Sequence, residues 1–128
     1  MACIFNLLIF SFSLAALSSC SEDDCSSIER GVVTHVSGSE EIEYPSDITL
    51  TVHFYAVNGC GSFYEIEENM DDNTIYVEMK VKYVGCFCTQ ALVHMQEEYT
   101  FKPPSKGTYT FEFLNNYTDN ITHVVAVN

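Results

Sequence analysis

Ile48, Leu50, Val52, Phe54 and Ala56 alternate with Thr49, Thr51, His53 and Tyr55 over nine consecutive positions. A strand turns successive side chains to opposite faces, so a period of two gives one apolar row and one polar row. A helix would scatter the same residues around its circumference. The pattern returns in Ile75, Val77, Met79, Val81 and Tyr83, set against Tyr76, Glu78, Lys80 and Lys82. It returns again in Tyr109, Phe111 and Phe113, and in Ile121, His123, Val125 and Val127. Less regular strand signals cover residues 32–36, 62–67 and 91–101, and no segment sustains a capped period of 3.6.

Turn chemistry separates these runs at Tyr44-Pro45-Ser46-Asp47, Asn58-Gly59-Cys60-Gly61, Met70-Asp71-Asp72-Asn73, Pro103-Pro104-Ser105-Lys106-Gly107 and Asn115–Asn120. About seven strands, each with one face to bury, predict an all-β fold. The expected form is a single antiparallel β-sandwich over residues 28–128, because a second sheet covers the first. Within it, Gly107-Thr108-Tyr109-Thr110-Phe111 resembles the tyrosine-corner region of immunoglobulin-like domains. That resemblance implies an immunoglobulin-like sandwich. The chain has no tryptophan, and Phe111 stands where antibody domains place a cysteine, so the antibody-type disulfide and its packing Trp are excluded.

The segment before the domain carries an address. Residues 4–17 are apolar but too short to span a bilayer, which needs about 20 residues. They end in Leu17-Ser18-Ser19-Cys20, which resembles the lipobox of bacterial lipoproteins. The resemblance implies a signal peptide over residues 1–19 and lipid attachment at Cys20. The following Ser21-Glu22-Asp23-Asp24 resembles the acidic export signal of surface lipoproteins in the Bacteroidota. It implies an outer-membrane or cell-surface protein with residues 20–27 as a flexible tether. The n-region Met1-Ala2-Cys3 lacks Lys or Arg. A cleaved secretory signal, with sequons at Asn116 and Asn120, is therefore the competing reading.

Four cysteines remain once Cys3 and Cys20 are set aside: Cys25, Cys60, Cys86 and Cys88. An even number in an exported chain reads as two disulfides. If extended, Cys86 and Cys88 point to one face with parallel Cβ vectors, which disfavours a bond between them. Each then pairs with Cys25 or Cys60. Cys60–Cys88 with Cys25–Cys86 is the preferred pairing, and the swap stays open. Thiolates at Cys86 and Cys88 near His94 and Met95 would suit copper or zinc, but no metal-ligand spacing accompanies them. No metal and no cofactor is expected.

The chain carries 18 acidic and five basic residues, a formal charge of −13. That balance argues against nucleic-acid binding, which uses clustered Lys and Arg. Glu65, Glu67, Glu68, Asp71 and Asp72 crowd one hairpin without the ordered spacing of a calcium loop. No phosphate loop, nucleophile elbow or zincin motif occurs, so an interaction module and not an enzyme is expected. Its partners would be the membrane, through the lipid anchor, and a protein. A glycan stacked on surface tyrosines such as Tyr55, Tyr64, Tyr76 and Tyr117 is the alternative. The loops at Asn115–Asn120 and Cys60–Phe63, with Asn116, Tyr117, Gly61 and Phe63, are the candidate binding surface, since loops on a rigid scaffold carry function.

Overall fold

The computed structural model describes residues 25–128. The expected signal peptide, Cys20 and the acidic run at residues 22–24 lie outside the described residues. Nine strands follow one another: β1 Ser26–Arg30, β2 Val32–Gly38, β3 Glu41–Ile42, β4 Ile48–Ala56, β5 Gly61–Asp71, β6 Thr74–Val84, β7 Val93–Phe101, β8 Gly107–Phe113 and β9 Ile121–Val127. Strand β4 has the limits that its alternation demands. The domain starts earlier than residue 28, because Ser26 and Ser27 pair with Val84 and Tyr83. Those two serines are sheet edge and not tether.

The strands form a six-stranded and a three-stranded sheet, the latter in the order β2-β4-β7. In the larger sheet β6 is the hub. Strand β5 pairs along all of it from Asp71↔Thr74 to Gly61↔Tyr83. The opposite edge of β6 is divided: β8 takes Thr74–Val77 and β1 takes Lys80–Val84. Strands β9 and β3 continue the sheet beyond β8.

This is the all-β sandwich that the alternation requires, with nine strands where about seven were expected, and with two parallel ladders, β6–β8 and β3–β9. The reason lies in the path of the chain. After β6 it crosses to the smaller sheet as β7 and returns, so β8 re-enters running in the same direction as β6. Alternation says which face a residue buries, not which neighbour its strand will meet.

The inner rows of both sheets make one core. Leu50, Val52, Ile75, Val77, Met79, Val81, Tyr109, Phe111, Phe113 and Val125 are wholly buried, and no charged or polar side chain joins them. Fully burying such a side chain contributes roughly 2 kcal/mol, before the chain entropy that opposes it. Phe101 sits edge-on to Phe111 with ring centroids 5.5 Å apart, a geometry that the quadrupoles of aromatic rings favour. The Tyr109 hydroxyl donates to the Ser105 carbonyl at 2.7 Å. That bond ties the loop before β8 to the core and completes the tyrosine corner. Tyr109→Phe keeps the packing and removes this bond. It should lower stability by about 1 kcal/mol, read as a lower urea midpoint with an unchanged slope; an unmoved midpoint would show the bond to be dispensable.

Candidate functional site

At the C-terminal end of β6 three segments meet: the start of β1, the β4–β5 turn and the β6–β7 loop. Gly85 leaves β6 with φ 129°, a conformation suited to glycine. A Cβ there would also press on Cys60 Sγ at 3.0 Å. The chain then bends through Cys86-Phe87-Cys88, which is not extended. Cys25 bonds Cys86 with Cα atoms 4.8 Å apart, and Cys60 bonds Cys88 at 5.4 Å. Backbone bonds knit the same segments: Gly85 N–H to the Cys25 carbonyl at 2.8 Å, Gly59 N–H to the Thr89 carbonyl at 2.9 Å. The Tyr83 hydroxyl accepts the Val57 amide at 2.9 Å. Phe87 lies between two anchored neighbours and is 98% exposed.

The loop after β8 reaches the same end. Strand β2 carries a bulge between Val33 and His35, and the Asn115 side chain clasps the strand there. Its Oδ1 accepts the Val33 amide at 2.9 Å, while its Nδ2 donates to the Val33 and Asp119 carbonyls, both at 3.0 Å. Asn120 Oδ1 accepts the Asn115 amide at 3.0 Å and closes the loop. The Arg30 guanidinium donates to Asn116 Oδ1 at 2.8 Å and pairs with Glu78. Glu78 in turn meets Lys80 Nζ at 2.8 Å. The hydrogen bond from Lys80, then that from Arg30, holds the Glu78 carboxyl below its usual 4.5, and the Glu78 bond raises Lys80 above 10.5. At the tip of this fastened loop Tyr117 is 94% exposed.

The two segments border one depression. An open groove of about 710 Å³ runs past Cys25, Ser27, Val57, Tyr83 and Cys88. It meets a second of about 280 Å³ lined by Val57, Tyr83, Asn116 and Tyr117. Ile28, Val57, Val84, Phe87, Leu92 and Tyr117 are all large apolar side chains left exposed at or beside this end. The strands and loops that form most of it are free of charge: residues 48–64 and 83–96 contain no Asp, Glu, Lys or Arg, in a chain of net charge −13. The opposite end carries Glu40, Glu41, Glu43, Asp47, Asp71 and Asp72. Glu29 lines both grooves, Arg30 the second, and Asp119 lies in the Tyr117 loop. Apart from these three, the end is apolar and aromatic-bearing, the composition of an interface centre.

Of the four candidate binding residues, two lie here. Tyr117 is presented, and Asn116 spends its side chain on Arg30. Gly61 and Phe63 do not form a loop. Gly61 opens β5, where a Cβ would clash with Ala56 and lie 2.9 Å from the Tyr83 ring. Phe63 is half-buried edge-on to Phe54, with centroids 5.9 Å apart. The hairpin runs further than the turn residues suggest, so both are packing residues. Phe87 was missed, because no strand phase applies within a bend; the uncharged stretch around it was the available signal. The acidic hairpin uses two of its carboxylates internally: Glu67 meets Lys80 at 3.5 Å, and Glu68 bonds the Tyr99 hydroxyl. Burial, and then that carboxylate, push the Tyr99 phenol well above its usual 10.0. All four described cysteines are oxidised. No group of three His, Cys, Asp or Glu converges as a metal site among the described residues.

Residues 50–125 match the ORF11 beta-sandwich domain family. The chain belongs to that family. The match spans β4 to β9, the strands that supply most of the core. No curated protein and no solved structure matches the chain. Its two disulfides mark this ORF11 beta-sandwich protein as an exported one, since such bonds persist in oxidising compartments.

Two outcomes test how the ORF11 sandwich holds its end in place. Asn115→Ala removes the clasp on β2 and should cost about 1–3 kcal/mol, with faster hydrogen exchange at the Val33 amide; unchanged exchange there would refute the clasp. For Glu78 the folded-state pKa is depressed, so its stabilisation is full above about pH 4.5 and lost as the pH falls through the lower folded value. The stability gap between wild type and Glu78→Gln should thus be present at pH 7 and shrink in urea titrations carried toward pH 3. A gap that persists at low pH would assign the effect to packing.

Proposed function

We propose that this protein is a lipid-anchored interaction module, not a catalyst, and that the uncharged end bearing Phe87 and Tyr117 is its contact surface. Anchoring rests on the lipobox-like Leu17-Ser18-Ser19-Cys20. Acyl chains on that cysteine and its freed amine give stable attachment where one chain would be marginal. The observation that carries the contact surface is Phe87: 98% exposed, yet fixed between two disulfides.

An exposed ring on a mobile loop loses rotational and backbone freedom when it binds, which weakens association. Phe87 has already lost most of the backbone share, since both neighbours are bonded to other strands. Tyr117 sits on a loop closed by Asn115 and Asn120, and Arg30 holds Asn116 beside it. Rigid aromatic anchors around a groove are what contact sites are built from. The side chains presented are mainly rings, aliphatics, hydroxyls and amides, with Glu29 and Arg30 at the groove wall.

A photo-crosslinking residue placed at position 87 or 117 in cells should form adducts, and one at position 106, on the opposite end, should not. Adducts at 106 with none at 87 and 117 would place the contact elsewhere. Intact mass of membrane-extracted protein should show acyl chains on a chain beginning at Cys20; an unmodified mass there would refute the anchor.

A further inference from the structure

We infer that the uncharged end docks on the surface of the lipid bilayer, so that Phe87 and Tyr117 sit in its interfacial layer. This deepens the anchored-module reading and rests on it. The first support is where the chain enters the domain. Cys25 follows Cys20 by five positions, a stretch that reaches at most about 18 Å when fully extended. Cys25 is bonded to Cys86, with Cα atoms 4.8 Å apart, and Phe87 is the next residue. Lipid on Cys20 therefore keeps Phe87 within a short reach of the bilayer. The opposite end is the length of β6 away, about 33 Å at the usual rise per residue.

The second support is the partition of charge. Glu40, Glu41, Glu43, Asp47, Asp71 and Asp72 outnumber Lys102 and Lys106 on the far end. An anionic lipid surface repels that end whenever it comes within about a Debye length. The near loops at residues 57–61 and 84–92 carry no charge to desolvate. Glu29 and Arg30, which line the grooves, carry one charge of each sign. The third is the kind of side chain presented. Tyr favours the membrane–water interface, where its apolar ring and polar tip are both accommodated, and Phe and Leu are side chains that bury shallowly at the headgroup–acyl boundary. Phe87, Tyr117, Leu92 and Val84 are among the exposed apolar groups at this end, from 98% for Phe87 to 49% for Leu92. A domain leashed by a few residues also meets the lipid at high effective concentration, so a shallow apolar contact is enough to orient it.

The chain has no tryptophan, so Phe87→Trp introduces a single indole, excited selectively over the tyrosines, at an exposed position. The full-length acylated protein is reconstituted into phosphatidylethanolamine–phosphatidylglycerol vesicles with and without lipids brominated on their acyl chains. Lys106→Trp reports on the far end. The expected result is blue-shifted Phe87→Trp emission, quenched by brominated lipid, and Lys106→Trp emission that is water-like and unquenched. Unquenched Phe87→Trp in a protein whose mass shows acylated Cys20 overturns the docking while leaving the anchor intact. An unacylated mass overturns the anchor itself. Unquenched Phe87→Trp together with cellular crosslinks from position 87 to a protein assigns this end to a protein partner and overturns the lipid contact.

Discussion

Strand β6 has to bury one face completely while three strands share its two edges, and the other features of the domain follow from that. Ile75, Val77, Met79, Val81 and Tyr83 face the smaller sheet and are buried. The outward row of Glu78, Lys80 and Lys82 faces solvent and supplies the ion pairs that reach Arg30. A slip of one residue would exchange the two rows and place these charges in the core, so the register is held by desolvation as well as by hydrogen bonds. With the register held, Val84 ends the strand where β1, the β4–β5 turn and the loop after β8 converge. The disulfides then act on segments that the sheet has already brought together. On the chain-entropy argument, the bridge spanning 28 residues contributes about 3.6 kcal/mol and the one spanning 61 about 4.3 kcal/mol.

Much of this was legible in the residues. Strand β4 could be read to its ends because every other residue from Ile48 to Ala56 is buried, and strict alternation is what a strand covered on one face produces. Tyr109 announced its corner through its place two residues before Phe111. What escaped did so for particular physical reasons. Ser26 and Ser27 are exposed although they pair with β6, so burial left no trace in their composition and β1 read as linker. Strand β3 has two residues, too few to show any period. Parallel pairing of β8 with β6 depends on the route through β7, which side-chain phase does not encode.

The proposed contact surface was half legible. Tyr117 stood out as an aromatic in a turn. The reason that its loop is ordered did not, because the clasp joins Asn115 to Val33 across 82 positions and needs the β2 bulge to offer the Val33 backbone groups. A bulge leaves one residue out of the ladder, and nothing in Val32-Val33-Thr34-His35-Val36 marks which. Phe87 lies in a segment where the chain is shaped by covalent bridges and not by periodicity, and such a segment hides its exposed residues from pattern reading.

Exposed apolar side chains on a small exported domain favour self-association unless something offsets them. In this molecule the offset is spatial. Most of the acidic charge that repels other copies is placed on the hairpin, on β7 and on the far end, while residues 83–96 carry none and the near end has Glu29 and Asp119. Two copies approaching neutral end to neutral end are still repelled by their net charge of −13 each, though salt screens that repulsion beyond about 10 Å. The repulsion is therefore weakest at the end itself, where Phe87 and Tyr117 project. A surface arranged this way tolerates contact with an uncharged or weakly charged layer and resists contact with another acidic body. The same residues that make the end adhesive are fastened by two bridges and one asparagine, so the adhesion has a fixed direction. That direction is set by β6, whose last residue points the loop toward the side from which the chain enters.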